Sequence, residues 1–73
     1  MKIKARDGKT YDVENAPPGG SHEVRLDGAI VGAFVLEAEE TRVTVHNKKA
    51  TEALLVDIAD RFVAKGGAPM GMS

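Results

Sequence analysis

The chain has no cysteine and no tryptophan, and its aromatic side chains are one tyrosine and two phenylalanines. Without thiols neither a disulfide framework nor a thiolate zinc site can form, so stability must come from packing or from association with another chain. The scarcity of aromatics leaves little on which nucleobases could stack. Neither sign of charge dominates: ten Lys and Arg stand against eleven Asp and Glu, a formal net charge of -1. Such a balance supplies no global field toward nucleic acid or an anionic membrane. Also missing is any apolar run near the ~18 residues that a membrane-spanning helix needs. The first residues alternate lysine with small apolar side chains in place of a signal-peptide core. The expectation is a cytoplasmic protein with no membrane partner.

What is present is enough for one small folded unit. Of 73 residues, 42% are apolar and 29% charged, the proportions of an ordinary globular chain with a single thin core. We read residues 1–67 as one domain and 68–73, which have turn composition and no periodicity, as a flexible tail.

Residues 1–14 alternate, with Ile3, Tyr11 and Val13 on one side and Lys2, Lys4 and Asp12 on the other, around a break at Asp7-Gly8. A two-residue loop would set Ile3 against Asp12 and mix apolar with acidic side chains. A three-residue loop of Arg6, Asp7 and Gly8 sets Ile3 opposite Tyr11 and Lys2 opposite Asp12, so this register is the expected one. Residues 15–21 contain two prolines and two glycines and make a linker. Phosphate-cradling glycine loops lead from a strand into a helix, whereas a strand follows here.

Residues 22–27 alternate again and end on the turn signal Asp27-Gly28. The next strand, 30–37, is apolar at nearly every position, as strands covered on both faces are. An acidic turn leads to a last strand, 41–46. Pairing Leu36 with Thr41 assigns Ile30, Phe34, Leu36, Val43 and Val45 to the core face. Residues 48–65 carry apolar side chains at three- and four-residue spacings, with Asn47 as the expected N-cap and Gly66-Gly67 as the stop. Leu54, Leu55, Ile58, Ala59, Phe62 and Val63 form the expected buried stripe, with Val56 at its margin. The fold class is therefore α+β: an N-terminal hairpin plus a three-stranded meander, about five antiparallel strands, with one C-terminal helix packed on one face.

No catalytic, cofactor or metal site emerges. His22 and His46 stand at strand ends without the spacing of a metal-ligand pair, and we expect both to be solvated. Ser21, His22 and Glu23 are neighbours on a strand, where successive side chains point to opposite faces, and do not make a triad. The run 26–36 followed by the Leu54-Leu55 helix resembles part of the acyl-coenzyme A-dependent N-acetyltransferases, in which an Asp-Gly-x-x-Val-Gly hairpin precedes a strand and a leucine-rich helix. Those enzymes hold the cofactor's pyrophosphate with an arginine- and glycine-rich loop before the helix. Here that place is taken by Asn47, Lys48, Lys49 and Ala50, with no glycine, so the chain is not assigned to that family and no cofactor is expected.

The informative feature is the second face of the apolar strand. If Ile30, Phe34 and Leu36 meet the helix, then Val31, Ala33 and Val35 face away, bordered by Arg42, Thr44 and His46. One helix covers one side of a sheet, so this strip either docks another chain or is enclosed by the sheet curling into a small barrel. The function expected from the sequence is a non-catalytic protein-binding module of the inhibitor or adaptor type, the kind that phages and other mobile elements often encode. It would act through a sheet face or edge, on a protein partner or a second copy, with Met70 and Met72 of the tail as further contacts. The alternative is a small nucleic-acid-binding domain using Lys2, Lys4, Arg25, Arg42, Lys48 and Lys49.

Overall fold

The computed structural model describes residues 1–17, 19–37 and 40–67; the tail read as flexible lies outside the described residues. Five strands and one helix follow in chain order: β1 (Lys2–Lys4), β2 (Thr10–Val13), β3 (His22–Leu26), β4 (Ala29–Leu36), β5 (Thr41–Val45) and α1 (Glu52–Ala64). All five strands form one antiparallel sheet in sequence order, with β1 and β5 at its two edges. The architecture is α+β as expected, and the sheet is an open meander in which the helix touches β1, β4 and β5.

Local chemistry sets the registers. The first hairpin pairs Lys2 with Asp12 and Ile3 with Tyr11, with Gly8 at φ 84, as a three-residue loop requires. Asp27 and Gly28 both have positive φ (53 and 84), which joins β3 to β4 by a tight two-residue turn whose twist matches the strands. Leu36 pairs with Thr41 and Phe34 with Val43, as the acidic turn implied.

Two expectations about element bounds and register fail for identifiable reasons. The helix begins at Glu52 rather than at residue 48, because Thr51, not Asn47, is its N-cap: Thr51 Oγ1 accepts from the Leu54 amide at 3.2 Å. Asn47 instead stabilises a preceding turn, its Oδ1 accepting from the Lys49 amide and its carbonyl from the Ala50 amide. Strict alternation along β4 also fails. Val24 pairs with Gly32 while Arg25 pairs with Ile30, so Val31 is an extra residue, a β-bulge. Everything before the bulge changes face. Ile30, expected in the core, shares the outer face with Arg25, and Val31, expected outside, is fully buried in the core cluster.

The core lies between the sheet's inner face and α1. Ile3, Tyr11, Val13, Val24, Val31 and Phe34 meet Leu54, Leu55, Ile58, Ala59 and Phe62. Gly32 is required there by space, since a Cβ at that position would lie 2.6 Å from Leu55 Cδ1 and 2.7 Å from the Thr44 carbonyl oxygen. On the β1 side α1 is tied by a polar contact: Asp57 accepts from the Arg6 amide at 3.0 Å, while within the helix it pairs with Arg61 at 3.0 Å.

Candidate functional site at the open sheet edge

The residues singled out from sequence separate into three environments. Val31 belongs to the core and is withdrawn from any surface, because the bulge turns it toward the helix. Ala33 and Val35 do lie on the outer face, beside Glu23 and Thr44 and beside Arg42 respectively, with Ile30 where Val31 was expected. Ala33 is only 6% exposed, and Ile30 and Val35 are half-buried between their neighbours. Arg42, Thr44 and His46 are exposed on β5 and at its end.

The outer face carries both signs of charge. Arg25 lies 3.5 Å from Glu14 and 3.4 Å from Glu23, Arg42 lies 3.1 Å from Glu37 and 3.4 Å from Glu40, and Lys2 stands opposite Asp12. These exposed pairs contribute little stability, but they break up the basic patch that a phosphate backbone would need.

His22 is the clearest departure from the sequence reading. It is fully buried, stacked on Phe34 with ring centroids 5.1 Å apart and tilted against Phe62 at 4.9 Å. Its Nδ1 lies 2.8 Å from the Glu14 carbonyl oxygen, which can only accept, so Nδ1 carries the proton. Nε2 has no partner among the described residues. The signal was present: His22 shares strand parity with Val24 and Leu26 and pairs with Phe34. This imidazole is a core residue, far in environment from the exposed His46, and the described residues hold no group of three His, Asp or Glu side chains placed to bind a metal.

The second polar group in the interior is Tyr11, whose hydroxyl donates to Asp7 Oδ2 at 2.6 Å. Burial, together with that hydrogen bond and the carboxylate's charge, pushes the phenol up to about 12. The same hydrogen bond holds the Asp7 carboxyl below its ordinary range. This pair closes the first hairpin.

What distinguishes one part of the surface is the state of the two sheet edges. In β1 the odd-numbered residues bond to β2, since Ala5 donates to Lys9 and Val13 to Met1, which leaves the main-chain groups of Lys2 and Lys4 pointing outward. Both outward carbonyls are occupied: Arg61 Nη1 donates to Lys4 O at 3.2 Å and Lys65 Nζ to Lys2 O at 3.3 Å. In β5 the even-numbered residues face β4, as shown by the bonds from Glu37 N to Glu40 O and from His46 N to Val31 O. Thr41, Val43 and Val45 therefore turn their amides and carbonyls to the open side, and β5 has no further strand beside it among the described residues.

Apolar surface accompanies this edge. Asp57, Arg61 and Lys65 place one flank of α1 along β1, so the opposite flank, with Val56 and Val63 seven residues apart, lies toward β5. Val56 is 39% exposed and Val63 46%, although Val63 was expected in the buried stripe. On β5 itself Val45 is 42% exposed on the helix-facing side. The combination is an unpaired strand edge beside an incompletely covered apolar flank.

No protein-family model matches this chain, and neither a curated protein nor a solved structure matches it.

Proposed function

We propose that this chain is a small non-catalytic protein-binding module that receives an extended segment of another chain along β5. The carrying observation is the row of amides and carbonyls at Thr41, Val43 and Val45, which meets no partner among the described residues, beside the exposed Val45, Val56 and Val63. Strand addition supplies affinity through main-chain hydrogen bonds and specificity through alternate side chains, here those that would rest on the valine flank. The edge takes precedence over the outer face, which loses Val31 to the core and is bordered by ion pairs. Arg42, Thr44 and His46 flank that edge and would contact whatever lies beside it.

Two single variants separate edge from face. Val45→Pro removes an outward N–H without breaking a bond to β4, whereas Val35→Glu alters the outer face. In the complex that the chain forms in its native host, Val45→Pro is expected to weaken binding by about tenfold or more, with Val35→Glu close to the parent. The reverse order would overturn the assignment to the edge.

A further inference from the structure

The edge is complementary to itself. Resting on the edge reading above, we propose that the segment received by β5 is the β5 strand of a second copy of this chain, paired antiparallel about a two-fold axis through Val43. In this register Val43 lies opposite its own copy, Thr41 opposite Val45, Arg42 opposite Thr44, and Glu40 opposite His46.

Three features select it. The first is the direction of the main chain. Thr41, Val43 and Val45 are the outward-pointing residues of β5, and this pairing matches each of them with another outward-pointing residue, so every amide and carbonyl on the open side finds a partner. A slip of two residues in either direction leaves one of these residues unmatched on each chain.

The second feature is charge. Ahead of β5 in sequence stand Glu37, Glu39 and Glu40, against which Arg42 leaves two negative charges in excess; behind it come His46, Lys48 and Lys49, with no acidic residue before Glu52. Antiparallel pairing sets the acidic approach of one copy beside the basic exit of the other. Slipping the strands one way would instead set Arg42 against His46, and slipping them the other way would move Glu40 from His46 to Thr44.

The third is the apolar flank. A two-fold axis normal to the sheet keeps both helices on the same face, so the Val45, Val56 and Val63 surface of each copy turns toward the other. The contact is isologous and closes on itself, which ends growth at a pair instead of a fibre. The β1 edges remain outermost, already occupied by Arg61 and Lys65.

The absence of cysteine from the natural chain makes the register directly testable. Arg42 and Thr44 of opposite copies would form a pair without mutual hydrogen bonds, whose Cα atoms sit about 4.5 Å apart in such ladders and within bridging range. A mixture of full-length Arg42→Cys and Thr44→Cys chains should therefore oxidise to a mixed disulfide in preference to either like pair. Sedimentation of the parent protein should show monomer passing to dimer between about 1 μM and 1 mM, the range of a small interface. The exposed Val45→Lys should raise the dissociation constant about tenfold or more while the monomer stays folded. A dimer that fails to give the mixed disulfide would overturn the register. A monomer at every concentration, with freely exchanging amides at Thr41, Val43 and Val45, would overturn the second copy as occupant while leaving the edge open to a different chain. Protection of those three amides in a dilute monomer would remove the edge reading itself, and this inference with it.

Discussion

β1 and β5 are both outermost strands of one sheet, yet they end in opposite ways. β1 is three residues long, carries two lysines, and has its free carbonyls taken up by Arg61 and Lys65 from the helix. β5 is longer, has valines on its inner side, and its outward main chain meets no strand among the described residues. Short, charged and occupied edges are how sheets avoid unwanted pairing, so the protected edge shows that this chain has the means to close one. The difference teaches that the open edge is a property of β5 in particular, and the helix accounts for it: its charged flank lies along β1 and its valine flank toward β5.

Removing the helix from the sheet should abolish the contrast. Phe62 is fully buried against His22 and Phe34, and Phe62→Ala is expected to lower unfolding free energy by about 3–5 kcal/mol, most of what a domain this small has. Urea unfolding would measure the loss. A variant that stays as stable as the parent would mean that the helix does not hold the β1 edge.

The first hairpin, which carries β1, can be probed by pH. Because the folded-state pKa of Tyr11 is raised from 10.0 to about 12, its contribution is complete below pH 10 and is lost as pH rises toward 12. Tyr11→Phe should flatten the alkaline limb of a thermal-melting profile; an unchanged limb would show that the phenol is not what titrates.

The smallest effect belongs to the caps on β1. Arg61→Ala and Lys65→Ala remove exposed side-chain bonds and should each cost about 0.5–1 kcal/mol. Their more telling consequence is a second available edge, seen as association beyond that of the parent in sedimentation of the double variant. If the double variant associates no further than the parent, occupied carbonyls are not what keeps β1 solitary.

Much of the fold was legible because its signals are local. The three-residue loop followed from the faces of Ile3 and Tyr11, and the β4–β5 register from the length of the acidic turn. The helix start was misplaced because Asn47 and Thr51 are both competent caps, and only the turn that brings Ala50 into the core lets Thr51 prevail. His22 could have been placed from strand parity, which points it with Val24. The bulge at Val31 could not, since it arises where β3 and β4 fit against each other and no residue type marks it. That one inserted position is why Val31 leaves the candidate surface while Ala33 and Val35 stay on it.

From sequence alone come the number of elements, their order and the registers of the first and last hairpins, because turn residues and side-chain periodicity act over a few neighbours. Which edge is closed is decided only in three dimensions. Arg61 and Lys4 are far apart along the chain, and it is the direction in which α1 crosses the sheet that brings the cations to one border and the valines to the other.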